Sequence, residues 1–444
     1  MTGAEPGVNL FGVNSFFLSG HSVAGTGNPR DDGDRMAKTG PVLSIVIPAL
    51  DEEEAIGATI ERCLAARETI VAESPVSEVE VIVVSDGSTD RTEEIARRYQ
   101  AVTVLGFDRN RGYGAAIKSG FAAARGEWVG FLDADGTCEP AFFATLCRAL
   151  DAQHADVALG SRMGPGSEMP LLRTIGNTVF ALILGVLSRQ RIGDTASGMR
   201  VLRRAVLPDL DPLPDGLHYT PAMTARVLLE GKLVLIEEPM PYAERIGESK
   251  LSVARDGVRF LVSIVRAAAI YRPARPLLLF AAVFAFGALL LGSGPSLHWL
   301  RHRVLEEWMT YRVLAAFLLG TATAILASSA AVAEQIASIA HGRPAARSGV
   351  TGFVGRLLSR RAALVSSALL FAVAVAVCWP GIVEYVTTTR VYMHWSRVVL
   401  SSLLSLVALT LVTTLFLTET IDLIRAQRSA RESLPAPDRI RPAC

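Results

Sequence analysis

A chain of 444 residues with 44 Lys and Arg against 43 Asp and Glu carries a formal charge of +1, which excludes a general polyanion-binding role and gives no reason to expect nucleic acid. Half of the residues are hydrophobic, more than a soluble protein needs, and the excess is concentrated after about residue 275. The five cysteines (Cys63, Cys138, Cys147, Cys378 and Cys444) form no C-x-x-C pair and no regular framework, so they read as reduced thiols, neither a disulfide scaffold nor a zinc site.

Residues 1–40 are rich in Gly, Ser, Asn and Asp, and their one apolar patch lacks the basic flank and length of a signal peptide, so a disordered tail is expected. From residue 41 strands and helices alternate. Residues 43–47 (LSIVI) read as a buried strand ending at Pro48, and a helix is expected over about 53–68. Residues 79–84 give a second strand, with Thr89 or Asp90 placed to cap the helix that follows. A short strand over 102–105, a helix over 112–124 opened by a Gly-rich turn, and strands over 128–132 and 157–160 come next. Residues 171–187 form a mostly apolar helix with two open readings, lying on a bilayer or packing in the domain. A strand over 199–202, a helix over 221–230 and a strand over 233–236 complete the region. The alternation predicts an α/β domain over 41–250 with a doubly wound, mostly parallel sheet.

Residues 251–275 contain an amphipathic helix in which Arg255, Arg259 and Arg266 share one face and Phe260, Leu261, Ile264 and Val265 supply the apolar side. A basic helix of this kind suits the headgroup layer. Four apolar segments follow within 276–420, at about 276–291, 313–332, 362–379 and 398–417, each roughly long enough to cross ~30 Å of hydrocarbon. The connection between the second and third carries Arg343, Arg347, Arg356, Arg360 and Arg361, so the positive-inside rule places it in the cytosol. An even number of spans then leaves the α/β domain, both termini and the 421–444 tail on that side. An integral, multi-pass protein of the cell (inner) membrane is expected.

The chemistry centres on residues 128–136 (WVGFLDADG), a buried strand that stops at Asp133 and Asp135. In open α/β sheets ligands bind just beyond the carboxyl ends of strands. Two aspartates there supply hard oxygen ligands suited to Mg2+ or Mn2+ bridging a phosphate.

The order of motifs carries more than any one of them. Residues 42–53, Ser85-Asp86-Gly87-Ser88-Thr89-Asp90, Asn110-Arg111-Gly112-Tyr113-Gly114, and Asp133-Ala134-Asp135 stand in sequence. Gly160-Ser161-Arg162, Asp194 with Ser197-Gly198-Met199-Arg200, and Tyr242 through Arg245 to Gly247-Glu248-Ser249-Lys250 follow. This set resembles the family 2 glycosyltransferases, and within them the polyprenyl-phosphate branch of dolichyl-phosphate mannosyltransferase and glucosyltransferase type. The resemblance covers about residues 42–266 and does not reach the four-span region. It implies a GT-A-like nucleotide-sugar domain and inverting transfer of one hexose from a GDP-mannose or UDP-glucose type donor to a polyprenyl phosphate at the cytosolic face. The sequence departs from the family pattern at Asp51, Thr137 and Ala222, where relatives usually carry Asn, Gln and an acid.

By that resemblance, and by their chemistry, Asp133 and Asp135 are the expected metal ligands, and they are expected to carry catalysis with Arg162 and Arg245. Pro48, Leu50, Glu52, Asp86, Gly112 and Lys118 are expected to hold the nucleotide sugar, with the Gly112 turn presenting backbone N–H groups to an anion. Arg162, Arg200, Arg245, Ser249 and Lys250 are the expected acceptor-phosphate cations and donors. A polyprenyl phosphate is already an anion and needs no general base, whereas a hydroxyl acceptor would. Transfer to another lipid or a protein, and a membrane protein with an inactive transferase-like domain, are the other readings left open. A homo-oligomer is compatible with all of them.

Overall fold

The computed structural model describes residues 39–246, 252–341 and 359–432. Expectations for most of the N-terminal tail, for Ser249 and Lys250, for Arg343, Arg347 and Arg356, and for residues 433–444 lie outside the described residues.

The α/β region runs β1 (Val42–Ala49), α1 (Ile56–Glu73), β2 (Glu78–Ser85), α2 (Thr92–Arg97), β3 (Thr103–Gly106), α3 (Tyr113–Ala123), β4 (Trp128–Phe131), α4 (Phe143–Ala152), β5 (Val157–Ser161), α5 (Leu171–Ser188), β6 (Arg200–Arg203), α6 (Leu207–Leu210), α7 (Tyr219–Glu230) and β7 (Leu235–Pro239). The strands form one sheet in the order β3-β2-β1-β4-β6-β5-β7. Continuous Val and Ile runs bury β1 and β2 on both faces, as a sheet covered by helices requires. Register then sets the site. Ala49 lies beside Ser85, Val46 lies beside Phe131, and the Leu132 N–H donates to the Val46 carbonyl at 3.1 Å. The ends of β1, β2 and β4 are therefore level, and the segments after them open onto one edge.

Two features differ from the sequence reading. β6 pairs antiparallel with both β4 and β5, whereas a helical crossover usually makes its flanking strands parallel. After α5 the chain stays at the carboxyl edge, where the Met199 carbonyl accepts from Gly160 N–H, so β6 enters the sheet from that end. Helix α4 was not expected. Its buried Phe143, Leu146, Cys147 and Leu150 nonetheless stand at helical spacing.

Four long apolar helices follow α8 (Val253–Tyr271): α9 (Ala274–His302), α10 (Thr310–Ala340), α11 (Arg360–Thr388) and α12 (Trp395–Glu432). Each is long and apolar enough to cross a membrane, and so is α5, giving five candidates where four were expected. Helix α5 differs from the others in what it touches. Its inner face (Ala181, Leu184, Leu187) packs with Leu228 and Leu229 of α7 and Ile264 and Ala268 of α8. Its outer stripe (Leu171, Leu172, Ile175, Val179, Leu182, Val186) is exposed. Arg275, at the start of α9, donates to the Leu187 carbonyl, so the end of α5 is bonded to the entrance of the first span. In α8, Phe260, Ile264, Ala268 and Tyr271 face inward, while Arg255, Val258, Arg259, Val262, Val265 and Arg266 face out. Between α11 and α12, Ser367 donates to the Ala408 carbonyl at 3.0 Å and Ser401 to the Ala374 carbonyl at 2.8 Å, which satisfies these hydroxyls inside an apolar bundle.

Candidate active site

The segments beyond β1 and β2 brace each other. Asp51 adopts φ +47°, and its carboxylate accepts from the Thr89 N–H at 2.7 Å. Thr92 Oγ1 accepts from the Glu52 N–H at 2.7 Å, and Asp90 accepts from the N–H groups of Glu53 at 3.0 Å and Thr92 at 2.9 Å. Much of the Ser-Asp-Gly-Ser-Thr-Asp motif thus serves to present Glu52. The cap position of α2 is Arg91, without a side-chain cap bond, so neither Thr89 nor Asp90 occupies the expected cap; Asp90 stands one residue earlier. Asp86 is buried and accepts from the N–H groups of Arg111 at 2.7 Å and Gly112 at 2.9 Å. Burial raises its pKa, and the two N–H bonds oppose that rise. The Gly112 N–H, expected to face an anion, is therefore directed at Asp86. Gly112 itself is required: its φ is +108°, and a Cβ would lie 2.4 Å from the Asp215 carbonyl oxygen.

The carboxylate pair sits at the end of β4. Asp133 accepts from the Tyr113 hydroxyl at 2.6 Å and lies against Gly198, where any Cβ would come within 1.9 Å of its carboxylate. Burial first, and the charge of Asp135 second, push its pKa up to about 7. Asp135 accepts from Thr137 Oγ1 at 2.7 Å and from Arg245 Nη1 at 3.1 Å, and the other Arg245 terminal nitrogen pairs with Glu52. Arg245 thus spans the carboxylate pair and the β1 segment. Its Nε is a buried donor with no partner among the described residues. Helix α1 fixes the backbone here: Thr59 donates to the Ala134 carbonyl at 2.9 Å, and Arg62 to those of Gly136 at 2.9 Å and Cys138 at 3.1 Å. The Arg245 segment is tied on as well, through Ile246 N–H to the Asp135 carbonyl at 3.1 Å.

Arg162, at the end of β5, makes a two-pronged pair with Asp194 at 2.7 and 2.8 Å and lies 5.5 Å from the Tyr242 ring centroid. That pairing holds the Asp194 carboxyl below its usual range even though burial alone would raise it. Glu237 on β7 accepts from the N–H groups of Gly193 and Asp194, both at 2.7 Å. Asn177 on α5 grips the same segment, donating to the Gly193 carbonyl at 2.8 Å and accepting from the Thr195 N–H at 3.0 Å.

A cleft of about 540 Å³ joins these groups. Pro48, Leu50, Glu52, Asp86, Gly112, Asp133, Asp135, Arg162 and Arg245, among the residues singled out in the sequence, all line it. Two do not. Arg200, the first residue of β6, is fully buried, donating to the Ser197 carbonyl at 3.1 Å and the Thr195 carbonyl at 3.2 Å. Burial pulls its pKa down to about 10. Lys118 pairs with Asp215 and donates to the Leu213 carbonyl at 3.0 Å. The structure therefore does not bring Arg200 or Lys118 to the cleft. Sequence reasoning passed over Tyr113, Asn177 and Glu237. Tyr113 stood inside a quoted motif, while the other two contact their loop only through the fold.

A profile of glycosyl transferase family 2 matches residues 44–211. The dolichyl-phosphate hexose transferase of Haloferax volcanii is 32% identical over 228 residues, half of this chain and 92% of the relative. The chain belongs to glycosyl transferase family 2. A low-salt glycan biosynthesis hexosyltransferase of the same organism is 34% identical over 229 residues, and there the match spans only 53% of the relative's length. The dolichyl-phosphate beta-glucosyltransferase of Drosophila melanogaster is 32% identical over 177 residues, 36% of this chain and 54% of that one. Among solved structures, glucosyl-3-phosphoglycerate synthase from Mycobacterium tuberculosis, crystallised with Mn2+, UDP-glucose and phosphoglyceric acid, aligns with a TM-score of 0.41 at 20% identity, covering 52% of this chain and 81% of that chain.

The family 2 domain has a GT-A-like mixed sheet, and its acidic edge can be tested as a cation site. No cluster of three or more His, Cys, Asp or Glu arranged for a metal occurs among the described residues. Two carboxylates, one with its pKa raised by burial and then by the charge of the other, are a donor set that a hard cation would relieve. Mg2+ is commonly held by one or two carboxylates, with waters and substrate phosphates completing its shell. The residues present fit that pattern.

Glu237→Gln gives a direct test of the loop that carries Asp194. A glutamine can accept only one of the two N–H bonds cleanly, and an unpaired N–H here costs about 1–3 kcal/mol. The variant is expected to unfold at lower temperature in a thermal melt and to lose hexosyltransferase activity.

Proposed function

We propose that this family 2 chain transfers a single hexose from a nucleotide-diphosphate sugar to a polyprenyl phosphate at the cytosolic face of a membrane, with inversion and with Mg2+ or Mn2+ bound at Asp133 and Asp135. One observation carries the reading: the cleft that holds Asp133, Asp135, Arg162 and Arg245 is also lined by α5 and α8, of which α5 turns an apolar stripe outward and α8 a mixed apolar and basic face. The names of the relatives support the same acceptor class.

The donor's base and ribose meet Glu52 and Asp86, whose carboxylates accept hydrogen bonds. The unpartnered Arg245 Nε, and the Arg162 guanidinium held by Asp194, supply donors to phosphate oxygens. A bound divalent cation supplies counter-charge to the departing nucleoside diphosphate. An acceptor phosphate oxygen attacks C1 of the sugar from the face opposite the leaving group. The new C1–O bond forms as the bond to the donor's β-phosphate breaks, and the electron pair leaves on the diphosphate. No proton has to be removed, which accords with Ala222 where the family pattern carries an acid by the resemblance stated above.

Membranes containing the full chain, given a panel of labelled nucleotide sugars and a polyprenyl phosphate, are expected to form an organic-extractable glycolipid. Chelation is expected to abolish it and Mn2+ to restore it. Absence of glycolipid across the whole donor panel, with nucleotide binding intact, would refute the reading.

A further inference from the structure

Lys118 stays out of the cleft, but the face of α3 that carries it is fitted to one neighbouring segment, residues 213–216. Residues four apart share a face of a helix, and Gly114 and Lys118 are so spaced. A Cβ on Gly114 would lie 2.3 Å from the Pro214 carbonyl oxygen, as one on Gly112 would crowd that of Asp215. The two glycines thus let the backbone of the segment pass directly against the start of α3. The Ala115 N–H, one of the first-turn groups that a helix leaves without an internal partner, donates to the Asp215 carbonyl at 3.1 Å. Lys118 completes the set, since its ammonium donates to the Leu213 carbonyl at 3.0 Å and pairs with the Asp215 carboxylate. Pro212 and Pro214 have no N–H, so the segment is short of donors with which to hold itself. The pair with exposed Asp215 adds little alone, whereas a charged donor on a backbone carbonyl is among the stronger hydrogen bonds.

The other side of the segment faces the cleft, which Gly216 and Leu217 line together with Gly112, Tyr113 and Thr220. Gly216 is the direct neighbour of Gly112, its Cα 3.4 Å from where a Gly112 Cβ would be. The same turn of α3 bonds Asp86 through the Gly112 N–H and Asp133 through the Tyr113 hydroxyl. We infer that Lys118 is a positioning residue for the donor: by holding residues 213–216 on α3 it fixes the Gly216–Leu217 wall against which the hexose rests. The inference rests on the donor class proposed above. There the ribose lies by Asp86 and the diphosphate by Asp133, and Gly216–Leu217 adjoin the turn of α3 that joins the two. The carbonyls of Leu213 and Asp215 are taken by α3, and that of Gly216 by the Tyr219 N–H at 3.1 Å, so this stretch offers shape more than polar contacts. A shifted wall therefore displaces the reacting sugar while the base and ribose keep their partners, and a small misplacement of a reacting group is costly. Lys118 acts on the sugar through the loop, with no contact to phosphate.

The test compares wild type, Lys118→Met and Lys118→Arg as full chains in lipid nanodiscs with Mn2+. Hydrogen exchange across residues 211–219 is expected to rise in Lys118→Met and to return towards the wild-type level in Lys118→Arg, whose guanidinium can serve both partners. Calorimetry with UDP-glucose, GDP-mannose, UDP and GDP reads the two halves of the donor separately. For the nucleotide sugar that wild type binds, Lys118→Met is expected to lose about tenfold in affinity, while the matching nucleoside diphosphate stays within about twofold. Lys118→Arg is expected to recover most of the loss. Unchanged exchange in Lys118→Met overturns the clamp. Equal losses for nucleotide and nucleotide sugar overturn the positioning role and leave Lys118 a purely structural residue. Should Lys118→Met fail to fold, Asp215→Asn removes only the exposed half of the pair and is expected to shift the same readouts in the same direction by less. The expected binding losses with no glycolipid from wild type uphold the role of Lys118 and refute the proposed transfer. Glycolipid formed by Lys118→Met at an undiminished rate under limiting donor does the reverse.

Discussion

Asp135→Ala is expected to lower hexose transfer by about 10²–10³-fold, the usual cost of removing one group that stabilises charge developing on a leaving oxygen. The expectation follows from its place: Asp135 is almost fully buried at the end of β4, its backbone is held by Ile246, and one carboxylate oxygen faces Arg245. The substitution leaves the Arg245–Glu52 pair and the α1 contacts to Ala134 and Gly136 in place, so the domain should still fold. Mn2+ titration followed by electron paramagnetic resonance gives a second readout, in which the variant is expected to lose its tight site. A rate within roughly twofold of wild type, far less than the ~1.4 kcal/mol that a tenfold change represents, would remove Asp135 from the chemistry.

Asp133→Asn is expected to separate activity from stability. The amide oxygen can still accept from the Tyr113 hydroxyl, and the side chain still fits against Gly198, so packing is preserved. Without the charge, transfer is expected to fall by about a hundredfold. Stability should move the other way. Burial, and after it the Asp135 charge, raises the folded Asp133 pKa from 3.8 to about 7, so ionising it opposes folding. That cost is absent below pH ~4, grows between about 4 and 7, and is fully present above. In chelator-containing buffer the Asn variant should therefore match wild type at pH 4 and unfold at a higher temperature at pH 8. An equal or lower unfolding temperature at pH 8 would show that the two carboxylates are not in conflict.

Much of this arrangement was legible before any coordinates. The Val and Ile runs of β1 and β2 and the abrupt stop after Phe131 announce buried strands, because only a doubly covered sheet tolerates such continuous apolarity. The direction of β6 was not legible, since it depends on the path of the chain after α5 and leaves no local trace. Helix α5 reads from composition as lying on a bilayer or packing in the domain, and the burial of Ala181, Leu184 and Leu187 with α7 and α8, together with the Asn177 bonds, ties it to the domain. The cations divide in the same way. Arg162 and Arg245 reach the cleft, but Arg200, drawn from an equally suggestive motif, is fully buried on β6 with its guanidinium on backbone carbonyls. A sequence does not say on which side of a strand an arginine will be needed. Nor does it reveal that Asp194 depends on Glu237, 43 residues further along the chain.

The bond from Arg275 to the Leu187 carbonyl has a kinetic consequence. It ties α5, which lines the cleft, to the start of α9, a helix long and apolar enough to cross a membrane, so on the proposed reaction the two reactants arrive by different routes. The sugar donor approaches through the aqueous volume, whereas the prenyl carrier must find the enzyme by drifting within a plane. Turnover then responds to the number of carriers per unit area of leaflet, and diluting the vesicles at fixed lipid composition should leave the acceptor dependence unaltered.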